Sequence, residues 1–585
     1  MSQRDFFGDA LFQPQDGFEG KPFENHIIYY NIYYNMKVII IGAGISGLTV
    51  AHELVDKGFE VEVYEKGSVA GGMARSTRTE KGVPSEHSWR AYGPFYYNAF
   101  EIMSRIPIEK KLQDTEKNER NIITFKDQRY DITEFVPKHP GGSIINTLLK
   151  SDDPLEKVWK DNKVDWHMKN PYVLKLLEKY KIGNDVPPDV TDNLAQSGIE
   201  FKLLSNERDT TKINIFDYPY LGYLFVKYAI VNKRRTNSVR LLDTVWPLQE
   251  TSKEYLLNFI SGPGWGFDND TISANHFAFF VYENLYSGNH SWQVMNQPTS
   301  EAWIDPWVEH LKKKGVTFHF NADMSKISPD GAVIDGSIVR GDEYVITIPP
   351  ELEIPHDQIS FRFGFKRKIS FEKHNIAFVL LDSEYNITFY PQDESWSPDV
   401  NLGPVVSLWS GTIIKAKNAV KLKPKELLKE IKKQFLQSKY IQNIISEEDI
   451  VYEEIFEDWY WSESKGRLVT RNPKWINHVH EVREPNTTEH PNVWKAGAHT
   501  KTTMDVWTME SAVESGKLAS NLILEKYNLK KCLVMSHTVD FGKIDDPFYD
   551  LGLPHILDCF FITLVLFLLM KTVKHFNIFE ARVSK

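Results

Sequence analysis

Residues 36–47 read MKVIIIGAGISG, and they limit the fold more than any other stretch. Val38 to Ile41, with Met36 ahead of them, make a continuous apolar run suited to a strand buried on both faces. Gly42, Gly44 and Gly47 follow at the spacing G-x-G-x-x-G. The first glycine permits a tight turn, the second lets backbone approach a phosphate with no Cβ in the way, and the third lets the next helix pack on the strand. The spacing predicts that helix over Leu48 to Lys57, stopped at Gly58, with its amino end turned toward an anion.

A second strand, Glu60 to Tyr64, ends in Glu65, at the distance expected of a carboxylate that accepts from ribose hydroxyls. Strand, turn, helix, strand and acid in this order predict a dinucleotide site. Glu65 would repel a 2′-phosphate, which leaves FAD or NAD.

The next residues, KGSVAGGMARS, place Gly71, Gly72 and Arg75 after Glu65. This pattern resembles the second glycine pair of the FAD-dependent amine oxidase and carotenoid (phytoene) desaturase superfamily. Glu86-His87-Ser88-Trp89-Arg90 with Tyr96-Tyr97-Asn98 is similar to the segment that family sets beside the isoalloxazine ring. Residues 493–500 (VWKAGAHT) and 508–520 (TMESAVESGKLAS) resemble its last FAD motif. The resemblance implies an FAD site of Gly42, Gly44, Ile45, Ser46, Gly47, Glu65, Lys66, Gly71, Gly72, Met73, Arg75, Gly497 and Met509, with the backbone of Met324 on the adenine. The chain departs from the family at Ala498, where an acid is usual, and His499 stands next to it.

Between these motifs, Arg129 to Thr133 followed by His139-Pro140-Gly141-Gly142, and then residues 158–183, resemble the haem-binding core of the cytochrome b5 family. That resemblance implies haem b with His139 and His167 as axial ligands of the iron. Two imidazoles leave no position for dioxygen and favour electron transfer.

A net charge of −10 without a long basic block argues against nucleic acid as a partner. Two cysteines, Cys532 and Cys559, make no disulfide framework. Residues 1–35 lack the basic start and unbroken apolar core of a signal peptide. Leu553 through Val573 is apolar enough for a tilted crossing of ~30 Å of hydrocarbon, with Lys571 and Lys574 near its end.

The expected fold class is α/β, with a discontinuous Rossmann-type FAD-binding domain (36–117, 301–350, 486–528) and an α+β substrate domain (186–300, 351–485). A small cytochrome b5-like α+β domain (118–185) is inserted, and an N-terminal extension (1–35), a linker (529–552) and a C-terminal transmembrane helix (553–573) complete the chain. The expected function is a membrane-anchored FAD-dependent oxidoreductase whose catalytic domains are cytoplasmic. It takes hydride from a C–H bond of a lipid-like or terpenoid small-molecule substrate, and haem links it to a redox partner. An amine oxidase using dioxygen directly, and a non-catalytic redox-sensing or lipid-binding protein, are the alternatives. No catalytic residue stands out.

Overall fold

The computed structural model describes residues 36–558 apart from 89, 109–120, 127, 137–154, 162–166, 169–170, 182–187, 197–199, 207–212, 232–234, 236–238, 261–272, 275–291, 351–358, 372–375, 414–417, 472–482, 504–505 and 538–540. The elements that carry the site are, in chain order, β1 (Lys37–Ile41), α1 (Ile45–Val55), β2 (Glu60–Glu65), α2 (Tyr97–Met103), α3 (Tyr218–Ile230), β3 (Thr317–Phe320), β4 (Glu343–Ile346), β5 (Val493–Lys495) and α4 (Met509–Lys526). The five strands form a parallel sheet in the order β3-β2-β1-β4-β5.

β1 is covered on both faces, which is why it reads as an unbroken apolar run. Val38 and Ile40 face a core that includes Leu48, Ala51 and Leu54 of α1 and Val513, Ile523 and Leu524 of α4. Ile39 and Ile41 face Ala332, Ile334 and Tyr344 on the other side. That second layer is a three-stranded antiparallel sheet, Met324–Ser328, Gly331–Ile334 and Ser337–Val339.

α1 begins at Ile45, three residues before the predicted Leu48, because Gly44 takes the N-cap position. It packs tightly on α4. Ser46 Oγ donates to the Ala512 carbonyl at 2.8 Å, and a Cβ on Gly516 would lie 2.7 Å from that of Thr49.

The second lobe is a mixed six-stranded sheet with the order Ile450–Ile455, Ile359–Phe365, Ser407–Ile413, Thr388–Pro391, Ile376–Leu380, Glu200–Leu204. Its face packs Phe361, Phe363, Phe389 and Trp409 against Leu427, Ile431 and Phe435. Those three belong to the helix Pro424–Leu436, which is followed by a separate turn, Lys439–Gln442, with Ser438 at its N-cap.

The stretch expected to hold haem contains a hairpin, Ile122–Phe125 with Gln128–Asp131, and the helices Leu155–Asp161 and Pro171–Glu178. Phe125, Tyr130, Ile132, Leu155, Trp159 and Leu177 form a small core of its own. His139 lies outside the described residues. His167 stacks on Trp159, with ring centroids 5.2 Å apart and planes 19° from parallel.

Among the described residues no helix is long and apolar enough to cross a membrane. The expected span 553–573 lies outside them from residue 559 onward. The stretch read as a linker is held against the body: the Met535 N–H donates to Asn98 Oδ1 at 2.9 Å, and Arg235 pairs with Asp545 at 2.6 Å.

Candidate functional site

Two glycine turns meet at the carboxyl end of β1. Gly42 adopts φ +104° and its N–H donates to the Tyr64 carbonyl at 2.7 Å, tying the first turn to β2. A Cβ on Gly47 would stand 2.0 Å from the Gly42 carbonyl oxygen, so only glycine lets α1 start there. The second turn, with Gly71 at φ +104° and Gly72 at φ +54°, lies beside the first. The Gly71 N–H donates to the Ala43 carbonyl at 2.8 Å, and Gly44 pairs with Gly71 as a short parallel bridge.

At Gly44 a Cβ would meet only the Gly72 Cα, at 3.9 Å. The two glycine turns lie backbone against backbone, and a Cβ on Gly72 would stand 3.1 Å from the Gly44 Cα. The N-terminus of α1, Ile45 and Ser46 included, has no side-chain cap, so its N–H groups and dipole suit an anionic diphosphate.

Glu65 closes one end. Its Oε2 accepts from the Ala43 N–H at 2.8 Å and its Oε1 from the Gly67 N–H at 2.7 Å, which aims the carboxylate while leaving each oxygen a further lone pair for a ribose hydroxyl. The Ala322 N–H donates to the Glu65 carbonyl at 2.9 Å, bringing Met324 to the same end, and Lys66 pairs with Asp323 at 2.9 Å. Lys66 is otherwise largely exposed, so its side chain serves this loop contact.

The other end points toward the junction of the lobes. Arg75 donates to the Gly72 carbonyl at 2.8 Å and pairs with the buried Asp458 at 2.5 Å. The Met73 carbonyl accepts from Arg90 at 2.5 Å, joining the second glycine turn to the segment expected near the isoalloxazine. In that segment Glu86 is buried and accepts from Thr299 Oγ1 at 2.8 Å and Gln392 Nε2 at 2.6 Å. His87 lies edge-on to Phe456. Trp89 is outside the described residues.

The last motif completes the arrangement. Gly497 has φ +151°, and the His499 ring lies so close over it that a Cβ would stand 2.2 Å from Cε1. Burial, helped by Arg483, pushes the His499 pKa down to about 4, so the ring is neutral and supplies no charge in place of the missing acid at Ala498. Met509 opens α4, whose cap Thr508 accepts from the Ser511 N–H at 3.1 Å.

Sequence reasoning missed Glu510. Its carboxylate is fully buried and accepts from the N–H groups of Asn98 and Ala99 at 2.9 and 2.8 Å, at the start of α2, and pairs with His537 Nε2 at 2.9 Å. An acid in the first turn of α4 was visible, but its partners are 411 and 412 residues away in one direction and 27 in the other. Asp458 was missed for the same reason, standing 383 residues from Arg75. Asp458→Asn is expected to weaken the join between the lobes by about 2 kcal/mol, the scale of one charged hydrogen bond, read as a lower denaturant midpoint at unchanged slope.

Residues 40–106 match the NAD(P)-binding Rossmann-like domain. The chain is 33% identical over 113 residues to a zeta-carotene desaturase of Capsicum annuum, a match covering 19% of this chain and 18% of that one. It is 23% identical over 373 residues to the 15-cis-phytoene desaturase of the same plant, covering 59% and 55%. The chain therefore spans less than a fifth of the length of the first relative and just over half of the second. Among solved structures, putrescine oxidase bound to putrescine superposes with a TM-score of 0.51 at 13% identity, covering 84% of this chain and 99% of that one. That likeness concerns the fold: a Rossmann-like parallel sheet with a mixed second sheet, as in amine oxidases.

Proposed function

We propose that this chain, of the FAD-dependent oxidoreductase family that holds the amine oxidases and carotenoid desaturases, oxidises a C–H bond of a small, lipid-like or terpenoid substrate while anchored in a membrane by its apolar tail. The observation that carries the reading is the pair of glycine turns packed backbone to backbone at the uncapped N-terminus of α1, with Glu65 at one end and the junction of two lobes at the other. Bound there, FAD supplies the two-electron acceptance of hydrogen that the side chains lack. The chain binds and orients. Glu65 receives ribose hydroxyls, the N–H groups at the start of α1 face the diphosphate, and those at Met509 and Glu510 face the ring end with the positive end of the α4 dipole. Arg90 fixes Met73 and the carbonyl of His87, holding the segment over which substrate would lie.

One observation favours an amine with dioxygen as acceptor. The lobe junction near Arg90 is polar, with Glu86 buried between Gln392 and Thr299 and with Ser410 donating to Gln392. Anaerobic titration of the purified yellow protein separates the two. Bleaching of the flavin bands by a polyene such as zeta-carotene, and not by putrescine, supports the lipid-like substrate; the reverse selects the amine, and bleaching by neither removes both.

Haem b on His139 and His167, with a redox partner beyond it, rests on sequence resemblance alone. A bis-histidine spectrum beside the flavin bands supports it, and a preparation with flavin and no porphyrin removes it.

A further inference from the structure

The Rossmann-like lobe carries an apolar patch that nothing in the nucleotide site explains. Ile215 and Phe216 are 73% and 80% exposed just before α3, Tyr218 and Val226 are exposed on α3 itself, Trp246 is 72% exposed, and Leu551 is 74% exposed. Isolated exposed apolar residues are ordinary; several large ones on adjoining elements are not. Their elements are tied together. Tyr220 Oη of α3 donates to the Thr244 carbonyl at 2.7 Å, two residues from Trp246. Arg235 lies over the Tyr549 ring at 5.2 Å, two residues from Leu551. Lys227 of α3 holds Asp558 at 2.7 Å, and the Tyr223 hydroxyl donates to the same carboxylate.

Asp558 is the last described residue, and the chain continues CFFITLVLFLLM before Lys571. The most apolar stretch of the sequence therefore begins next to a residue held on α3, at the patch. Tyr and Trp favour the head-group zone, where one end of the side chain is apolar and the other wet, and Phe adds apolar area beside them.

We propose that this face, Ile215 to Val226 with Trp246 and Leu551, docks on a lipid bilayer, lying in the interface plane beside the point where the tail begins. The choice of occupant rests on the membrane-tail reading above; the patch itself does not. With Asp558 held by Lys227, the start of the apolar run is fixed on the body, and the aromatic side chains of α3 and its lead-in reach the head-group level. The same geometry sets the nucleotide lobe against the membrane, the source from which a lipid-like substrate would be drawn.

The test uses the full chain with Cys532→Ser and Cys559→Ala as background, because Cys532 is partly exposed and would compete for label. Single replacements Phe216→Cys, Trp246→Cys and, as control, Ile338→Cys on an exposed strand of the antiparallel sheet are labelled with an environment-sensitive nitrobenzoxadiazole dye and mixed with phosphatidylcholine vesicles, and flotation is scored in parallel. The expected result is co-flotation of all three, with emission moving to shorter wavelength and becoming protected from aqueous dithionite at positions 216 and 246 only. Co-flotation with 216 and 246 behaving like 338 overturns the docking face and leaves the tail standing. No flotation overturns both. A shift at 216 and 246 that follows protein concentration without vesicles assigns the face to a second copy and overturns the proposal.

Discussion

Gly44→Ala is expected to give a folded protein without colour, and Gly47→Ala to give little folded protein at all. The two glycines are three residues apart and belong to one motif, yet their surroundings differ. Gly44 has φ −73°, which alanine adopts freely, and its new methyl would meet only the Gly72 Cα at 3.9 Å. The folded state therefore tolerates it, and a small gain of about 0.4–1 kcal/mol from a stiffer unfolded chain is expected. The methyl instead stands on the backbone face that the diphosphate is expected to approach. Overpacking of this kind costs about 1–3 kcal/mol, which lowers flavin affinity ~10- to 100-fold. At Gly47 the methyl meets the Gly42 carbonyl oxygen at 2.0 Å, a backbone atom at the end of the central strand. Nothing there gives way cheaply, and a loss beyond about 4 kcal/mol, the range reserved for severe steric and core lesions, is expected. Flavin released on denaturation, measured against protein, reads the first prediction, and the yield of monodisperse protein with its thermal midpoint reads the second. A Gly44→Ala preparation carrying wild-type flavin would remove the diphosphate from this turn.

What was legible in the sequence and what was not follow from the range of the contacts. The strand, glycine turn, helix and acid of residues 37–65 are determined by neighbours a few positions apart, and they fold as read. The runs Ile376–Leu380 and Pro424–Leu436 were legible by period alone, since one is buried on both faces and the other has a single apolar stripe. Glu200–Leu204 was not. It enters the second sheet as an edge strand parallel to Ile376–Leu380, a pairing no local pattern announces. The aromatic density of Phe216 to Ile230 suggests a core or a tunnel lining, but Phe216 and Tyr218 stand out in solvent while Tyr220 and Leu221 pack inward, because a helix turns successive aromatics to different sides. The polar stretch Ser536 to Asp550 reads as a solvated connector, yet His537 and Asp545 are buried partners of Glu510 and Arg235. Polarity there serves other buried polar groups, and only the fold shows which.

Arg362→Met is the second large effect expected, and its dependence on pH carries the argument. Arg362 is fully buried in the strand Ile359–Phe365, directly across from Glu454 on the neighbouring strand, with Ser85 between them. Its guanidinium donates to Ser85 Oγ at 3.4 Å and to the Ser88 carbonyl at 3.3 Å, while Ser85 Oγ donates to Glu454 at 2.6 Å. Burial raises the Glu454 pKa, and the positive charge of Arg362 opposes that rise. Methionine keeps most of the volume and removes the charge that faces the Glu454 carboxylate across Ser85, a change that costs about 1–3 kcal/mol. The sign follows from the direction of the shift. With Arg362 gone the folded-state pKa of Glu454 climbs further above its unfolded value, so the variant is least impaired below the unfolded pKa, where the carboxyl is protonated in both states. It loses stability as pH rises through the folded pKa. The wild-type-minus-variant difference in unfolding free energy is therefore expected to widen from acid toward neutral pH. Adding Glu454→Gln to Arg362→Met removes the charge that causes the loss, so the double variant is expected to recover most of the neutral-pH deficit and to lose the slope. A deficit equal at all pH values, or a double variant no better than the single one, would mean that Arg362 acts through its packing and its bonds to Ser85 and Ser88, with Glu454 a bystander.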